Sequence, residues 1–399
     1  MKVFIINAVP YGSTGRIMFD LADHLKNNGH DVLCTSGFTW RSSDREDFFI
    51  TSNIVEKQMH TIFAKTTGRI GEFSHIATLK LIKRLDEFKP DVIHLHNLHG
   101  WFVNLKILFN FIKKRNIPVV WTLHDCWPFT GHCPHYAMIG CEKWKDGCYD
   151  CPQYKSYPRT YFDFSKKMYR EKKKIFTGIE NLTVVTPSEW MASQVEQSFL
   201  KDYDVKVINN GIDIEKFSIG ETTVKSQLGI DGKFMVLGVA YDWNDKKGLD
   251  VFISLAKTLG EEFKVVLVGT NEKTDMILPD NVISIHRTQD QQQLVEIYRA
   301  ADVMINPTRE DTFPTVNIEA LACGTPVITF DTGGSPEIID ETSGSTIYGQ
   351  DTDSMRMEII KVCKENVFSR EDCRKRGESF SNEKFLSEYL KLYERKCNE

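Results

Sequence analysis

The stretch "EDTFPTVNIEALACGTPVITFDTGGSPE", residues 310–337, combines a helix pattern, a strand pattern and a glycine-rich loop. Pro314 is typical of the first turn of a helix and Gly324 of its end, so a short helix is expected between them. The apolar run Pro326–Asp331 that follows predicts a buried strand. A helix followed at once by a buried strand is the repeating unit of a parallel sheet with helices on its faces.

The same alternation runs along the chain and predicts an α/β protein. The predicted strands are Lys2–Asn7, Asp91–His96, Pro118–Leu123, Leu182–Thr186, Phe234–Ala240, Lys264–Gly269, Asp302–Asn306 and Pro326–Asp331. The predicted helices between them are Thr14–Asn28, Asn104–Lys114, Leu249–Leu259, Gln291–Ala300 and Pro314–Cys323. Because the alternation of strands and helices restarts near Phe234, we expect two doubly wound, Rossmann-like domains facing across a cleft. Ligands in such domains bind beyond the carboxyl ends of the strands.

The expected domains are residues 1–206, with a cysteine-rich insertion at 126–152, and residues 207–380, followed by a helix over 381–399 that packs back on the first domain. The chain has 399 residues and a net charge of −5, which gives no general attraction to nucleic acid. It contains no apolar run of membrane-spanning length and no signal-peptide pattern, so a cytoplasmic location is expected. Thiols there stay mostly reduced.

Two acids lie near the N-terminus of the helix predicted between Pro314 and Gly324. Such an N-terminus favours an anion, yet Asp311 precedes it and Glu319 lies inside the helix. Their carboxyl groups are expected on the order of 10 Å apart, which suits a nucleotide-sugar with a diphosphate between two hydroxyl-bearing rings. The alternative is a helix-dipole acid and an exposed helix residue, and these two residues alone do not decide between the interpretations.

Three further segments join a predicted strand to a helix or a glycine-rich turn. They are "YGSTGR" (11–16), "NDKKGLD" (244–250) and "DTGGSPEII" (331–339). Glycines let the backbone approach a ligand, and Lys246 or Lys247 could neutralise a diphosphate. Each segment alone also fits an ordinary turn or a solvated lysine pair, and the G-x-G-x-x-G fingerprint is absent from "YGSTGR".

Together, four motifs resemble the large family 4 of retaining glycosyltransferases, which have the GT-B fold. They are residues 310–337, "VVTPSEWMASQV" (184–195), "VINNGIDIEKF" (207–217) and "KKGLDVFISLA" (246–256). "TLHDCWPFTGHC" (122–133) resembles a subgroup common in bacterial surface polysaccharide synthesis (O-antigen, capsule, exopolysaccharide). The resemblance implies transfer of a hexose from a UDP- or GDP-sugar to a glycan or lipid-linked saccharide.

The resemblance also implies residue roles. Glu319 would hold the ribose diol, Asp311 the donor hexose and Lys247 the diphosphate. His124 would lie beside the anomeric centre, so His124, Asp311 and Lys247 form the predicted catalytic set. The other predicted donor-binding residues are Gly15, Arg16, Lys246, Phe313, Thr315, Val316, Gly334 and Glu337, and the predicted acceptor-side residues are His96, Asn97 and Asp125.

Two departures from the family pattern affect these roles. The first acid of the pair is usually Glu, and here it is Asp311 with Glu310 adjacent. An Arg often found five residues before the Lys is Asp242 here, so Lys246 or Arg16 would have to compensate. No metal-binding DxD motif is evident, and we expect no catalytic metal. The rival functions are a sugar-nucleotide epimerase and a non-catalytic nucleotide-sugar-binding protein.

The insertion contains four cysteines with the spacing of a metal site, Cys133, Cys141, Cys148 and Cys151. The pair Cys148-x-x-Cys151 has knuckle spacing, so a structural zinc held by four thiolates is expected, with free thiols or two disulfides as alternatives. The basic, aromatic segment Tyr161–Phe176 predicts an amphipathic helix. Attraction to anionic lipid at the inner membrane face is one interpretation of that helix, and an ordinary surface helix is the other.

Overall fold

Parallel strands alternate with helices in two units of the computed structural model, which describes residues 1–40 and 44–398. Met1–Ile208 and the segment from Leu386 onward form the first unit, and Asn209–Phe385 forms the second. The strands are β1 Lys2–Ile6, β2 Asp31–Ser36, β3 Phe48–Ile50, β4 Val92–Leu95, β5 Val119–Thr122, β6 Leu182–Thr186, β7 Asp204–Val207, β8 Phe234–Val239, β9 Phe263–Val268, β10 Val282–Ile285, β11 Val303–Asn306, β12 Val327–Phe330 and β13 Gly344–Ile347.

Fourteen helices are described, several of them short. They are α1 Gly12–Asn27, α2 Ile54–Thr67, α3 His75–Phe88, α4 Leu105–Arg115, α5 Ser165–Phe176, α6 Glu189–Glu196, α7 Val224–Gln227, α8 Leu249–Thr258, α9 Glu272–Asp275, α10 Gln291–Ala300, α11 Thr315–Ala322, α12 Thr352–Glu365, α13 Arg370–Glu378 and α14 Asn382–Asn398. Within residues 1–40 and 44–398, no helix is both long and apolar enough to cross a membrane.

The first unit is built on a seven-stranded parallel sheet with the order β3-β2-β1-β4-β5-β6-β7. Strands β4, β5 and β6 are buried at every position, as expected of apolar strands covered on both faces. The strand order reverses at β1 and β4, so the loops after these strands diverge and leave room for a ligand at the carboxyl edge.

The second unit has a six-stranded parallel sheet with the order β10-β9-β8-β11-β12-β13. Its reversal lies between β8 and β11. Both units are therefore doubly wound, as the sequence predicts.

The final helix, α14, begins in the second unit, and its part from Leu386 onward belongs to the first. Tyr389 and Tyr393 are buried there at 1% and 0% exposure. The Tyr393 hydroxyl lies 2.6 Å from His94 Nδ1, and the Tyr389 hydroxyl lies 2.7 Å from Thr122 Oγ1. The expectation that the C-terminal helix returns to the first unit is confirmed.

Candidate active site

Three loops of the second unit leave the carboxyl ends of neighbouring strands β8, β11 and β12 and pack on one another. Gly248 has a φ of +70°, and a Cβ at this position would lie 2.4 Å from the Pro307 carbonyl oxygen. Gly333 has a φ of +57°, and a Cβ there would lie 1.8 Å from the Asp311 carbonyl oxygen. No other residue fits either position without moving backbone, so these glycines fix the turn after β8 and the loop after β12 against the β11 loop.

The lysine pair of the β8 turn is joined to the acid pair of the β11 loop by two ion pairs. Lys247 Nζ lies 2.6 Å from Asp311 Oδ2, and Lys246 Nζ lies 2.5 Å from Glu310 Oε2. Asp311 is half-buried, whereas Glu310 is buried at 6% exposure. The predicted phosphate-binding lysine and the predicted hexose-binding acid are therefore direct neighbours.

A third contact between the same loops was not anticipated. The Arg309 guanidinium donates to both oxygens of Asp250, at 2.7 and 2.8 Å, and to the Asp245 carbonyl at 2.6 Å. The bidentate bond lowers the pKa of the Asp250 carboxyl, so this ion pair between Arg309 and Asp250 is charged at neutral pH. Arg309 lies 59 positions from Asp250 in the sequence, a separation that no local pattern reveals.

The predicted short helix is α11. It begins at Thr315, so Pro314 immediately precedes the helix instead of forming its first turn. Thr315 and Val316 are half-buried and supply the first N–H groups of the helix. Phe313 is buried and its ring packs edge-on against Phe380 with centroids 5.6 Å apart, so its side chain serves the core.

Glu319 lies inside α11 at 7% exposure and is not the exposed helix residue of the alternative interpretation. The Tyr298 hydroxyl of α10 donates to Glu319 Oε2 at 3.0 Å. Burial, with the neighbouring carboxylate as a second cause, raises the pKa of Tyr298 well above its ordinary value, so the phenol keeps the proton it donates. The Tyr298 hydroxyl therefore holds the Glu319 carboxylate in place.

A network of buried polar side chains lies beneath α11 and was not predicted from the sequence. Asn317 accepts from Asn306 Nδ2 at 2.7 Å and donates to Ser335 Oγ at 3.0 Å, and Ser335 Oγ lies 2.7 Å from Thr329 Oγ1. These bonds tie the helix to strands β11 and β12 and to the glycine-rich loop that contains the buried Gly334. The only sequence signal is an Asn in a largely apolar helix.

Glu337, one of the predicted donor-binding residues, lies in a short 3-10 turn after Gly334. Its carbonyl oxygen accepts from Arg376 Nη2 at 2.6 Å, and Arg376 also donates to the Ile338 carbonyl. An arginine of α13 thus anchors the loop backbone.

The start of α1, just after the turn that follows β1, holds the predicted donor-side residues of the first unit. Gly15 is buried, and a Cβ on it would lie 2.4 Å from the carbonyl carbon of Pro10, so this glycine is required for packing the turn on α1. Arg16 is exposed one residue later. Asn7 organises the turn by donating to the Val9 carbonyl at 3.0 Å.

Predicted residues at the ends of β4 and β5 meet in the first unit. His96 Nδ1 lies 2.9 Å from His124 Nε2, and Asp125 Oδ2 lies 2.9 Å from His99 Nε2. Burial lowers the pKa of His124 to about 4. Burial alone would raise the pKa of Asp125, but His99 and other neighbours lower it to about 2. Asn97 is half-buried beside this group.

Two contacts connect parts of the cysteine-rich insertion. The Gly131 N–H donates to Cys148 Sγ at 3.1 Å. Cys133 and Cys151 are close enough to shift each other's pKa, which is raised for the Cys133 thiol and lowered for the Cys151 thiol. Cys141 is half-buried in the same segment. In the described part of the chain, no three Cys, His, Asp or Glu side chains are grouped as they would be around a metal ion. The zinc site therefore stays a prediction.

Helix α5 begins at Ser165, so Tyr161 and Phe164 precede the amphipathic helix that the sequence predicts to include them. Lys172 does not belong to the exposed basic face. It is buried at 1% exposure, and its Nζ donates to the Trp127 carbonyl at 2.5 Å and lies 3.6 Å from the centre of the Trp127 ring. The long lysine side chain thus anchors α5 to the start of the insertion.

Two family models match the chain. "Glycosyltransferase Family 4" matches residues 14–216, and "Glycosyl transferases group 1" matches residues 221–380. The putative colanic acid biosynthesis glycosyl transferase WcaC of Escherichia coli K12 is 25% identical over 368 residues, which cover 85% of this chain and 88% of that protein. A D-inositol 3-phosphate glycosyltransferase of Mycolicibacterium gilvum is 28% identical over 172 residues, covering 40% of this chain and 39% of that protein.

Solved structures with similar folds cover nearly the whole chain. Sucrose-phosphate synthase from Thermosynechococcus elongatus has a TM-score of 0.72 at 17% identity, with 99% of this chain and 98% of that one covered. Anabaena Alr3699/HepE, solved in complex with UDP, has a TM-score of 0.69 at 15% identity, with 99% and 100% covered. At these identities the similarity concerns the fold.

Proposed function

The chain belongs to glycosyltransferase family 4, and from this premise we propose that it transfers a hexose from a nucleotide-sugar to a growing glycan with retention of anomeric configuration. The observation that carries this proposal is the group formed by Lys247, Asp311, the N-terminus of α11 and the anchored Glu319 within that helix. It offers a cation and helix N–H groups for a diphosphate, with a carboxylate on each side for hydroxyl groups.

Neighbours support the choice of substrates. Anabaena Alr3699/HepE was solved with UDP and also with UDP-glucose, which favours a UDP-sugar, with a GDP-sugar as the second candidate. The name of the Escherichia coli relative refers to colanic acid synthesis, which favours a surface polysaccharide intermediate, lipid-linked during its growth, as the acceptor.

The ion pair between Lys247 and Asp311 gives the proposed mechanism its first step. An arriving diphosphate would draw Lys247 Nζ away from Asp311 Oδ2, and the released carboxylate could then accept a hydroxyl hydrogen from the hexose. Lys247 and the amides of Thr315 and Val316 would stabilise charge on the leaving diphosphate. The acceptor hydroxyl would attack from the same face, and its proton would pass to the leaving diphosphate oxygen.

A donor screen followed by a transfer assay tests the function. We expect one class among UDP-, GDP-, ADP- and dTDP-sugars to raise the melting temperature, and the same donor to give an α-linked product from an α-linked donor. A β-linked product would exclude retention. Conversion of the donor sugar without acceptor would indicate an epimerase, and stabilisation without transfer to any glycan would indicate a binding protein.

We also propose that Cys133, Cys141, Cys148 and Cys151 bind one structural zinc ion. The close approach of Gly131 to Cys148 and the proximity of Cys133 to Cys151 bring distant parts of the insertion together, as four-thiolate ligation requires. Elemental analysis of protein purified without chelators should find one zinc per chain. Cys148→Ser should lose it, whereas Cys397→Ser, at an exposed cysteine outside the insertion, should keep it. A metal-free wild type would contradict the site.

A peripheral membrane contact is proposed for the exposed face of α5. Lys166, Arg170 and Lys173 line a surface cavity of about 400 Å³ together with Lys143. Each basic residue near an anionic surface contributes on the order of 1 kcal/mol. Salt-sensitive flotation with phosphatidylserine vesicles, reduced in Arg170→Ala, is the expected result. Equal recovery with neutral vesicles would count against it.

A further inference from the structure

The buried His96 and the half-buried His124 of the first unit form one hydrogen bond, and the distance alone does not show which nitrogen is the donor. His96 Nδ1 and His124 Nε2 are 2.9 Å apart, and their ring planes are 9° from parallel with centroids 5.2 Å apart. The two rings thus meet edge to edge, so the bond lies near the plane of both. One nitrogen must donate and the other must accept.

Both rings are neutral at neutral pH. Burial is the main cause that lowers the pKa of His96 well below its ordinary value and that of His124 to about 4. His94 adds to the effect at His96, whereas Asp125 raises the pKa of His124 and His99 lowers it. A neutral imidazole carries one N–H, so the tautomer of one ring determines that of the other.

The second nitrogen of His96 decides the direction. His96 Nε2 is buried and has no hydrogen-bond partner among the residues that the structure describes. A proton on Nε2 would leave a buried N–H donor unpaired, which folded proteins rarely tolerate; an unused lone pair is tolerated more often. The favoured arrangement puts the His96 proton on Nδ1, where it is donated to His124 Nε2.

The position of His96 is fixed by contacts from several elements. Its ring centroid is 4.1 Å from that of His94. His94 is itself held by Tyr393 of α14, at 2.6 Å, and by Thr122 of β5, at 2.8 Å. The Trp121 indole N–H donates to the His96 carbonyl at 3.2 Å. With both ring and backbone held, His96 cannot turn to exchange its two nitrogens without breaking this packing.

We propose that His96 is a positioning residue that fixes His124 as the Nδ1-protonated tautomer, so that His124 meets a sugar oxygen as a hydrogen-bond donor and not as a base. The sugar ligand rests on the proposed function, whereas the tautomer does not. The role of His124 is then to hold a hydroxyl or ring oxygen through its Nδ1–H, and the acceptor proton must leave by another group, such as the departing diphosphate.

Nitrogen NMR of the ¹⁵N-histidine-labelled protein tests the tautomer directly. Among the 11 histidines, His124 is assigned from the signal lost in His124→Gln. The expected spectrum at neutral pH has a protonated Nδ1 and a bare Nε2. A protonated Nε2 in the wild type would overturn the proposal, whatever the activity of the protein.

Two substitutions separate positioning from packing. His96→Leu removes the donor and should allow the second tautomer of His124, lowering kcat about five- to tenfold with a smaller change in KM for the donor. His96→Asn places an amide N–H near the position of Nδ1 and should recover the Nδ1-protonated signal and most of the kcat that His96→Leu loses. If His96→Asn resembles His96→Leu in both tautomer and kcat, the proposal is wrong. If His96→Leu does not fold, the wild-type and His96→Asn spectra still decide.

Discussion

Lys247→Ala should lower kcat/KM for sugar transfer by roughly 10²–10³, as expected when one preorganised charge partner of a transition state is removed. Lys247 is half-buried at the turn after β8, and Gly248 holds that turn against Pro307. The side chain is therefore fixed before the donor arrives. Because charge on the diphosphate grows as the glycosidic bond breaks, most of the loss should appear in kcat. Steady-state kinetics with the donor identified by the screen measure both constants.

Two further variants make this result specific. Lys257→Ala, at an exposed position of α8, changes the net charge equally and should leave kcat/KM within about twofold. Lys246→Ala separates the two lysines of the turn, since Lys246 pairs with the buried Glu310 and is expected to act more on stability than on rate. If Lys247→Ala retains a near-normal rate while Lys246→Ala does not, the diphosphate role belongs to Lys246.

All interior strands except β2 were predicted from the sequence, whereas none of the four edge strands was. All eight predicted strands are present, with each end within one residue of its expected position. The five strands absent from the prediction are β2 and the four edge strands β3, β7, β10 and β13. An edge strand is covered on fewer sides, so its sequence carries polar and half-exposed residues; β7, "DVKV", has no fully buried position. Hydrophobic runs therefore identify the middle of a parallel sheet better than its borders.

The sequence predicts a set of site residues but not the contacts between them. Motif spacing and the family resemblance point to Lys247, Asp311 and Glu319. It does not indicate that Lys247 and Asp311, 64 positions apart, form an ion pair, or that Tyr298 anchors Glu319. Such contacts depend on strand order, because β8 and β11 become neighbours only through the crossover. The burial of Lys172 was not predicted either, because a run of lysines has the same sequence pattern whether all of its members are exposed or one of them is buried.

Glu319→Gln should raise the dissociation constant of the nucleoside diphosphate by roughly 10–10², the loss expected for a hydrogen bond to a charged group. The substitution keeps the side-chain volume and an oxygen that can accept from the Tyr298 hydroxyl, so the fold should be retained. It replaces an acceptor-only carboxylate by an amide, which presents an N–H group to the ribose diol. Isothermal titration of the nucleoside diphosphate measures the change.

A deoxygenated ligand shows whether that loss belongs to the ribose. The wild type should bind the 2′,3′-dideoxy nucleoside diphosphate weakly. Its affinity should match that of Glu319→Gln for the unmodified nucleoside diphosphate. Glu319→Gln should bind the two ligands alike, because this variant has already lost the hydrogen bond between the carboxylate and the ribose diol. Glu371→Gln, at an exposed position of α13, should discriminate between the ligands as the wild type does. Equal loss on deoxygenation in the wild type and in Glu319→Gln would place the diol elsewhere, and Glu319 would then be a structural partner of Tyr298.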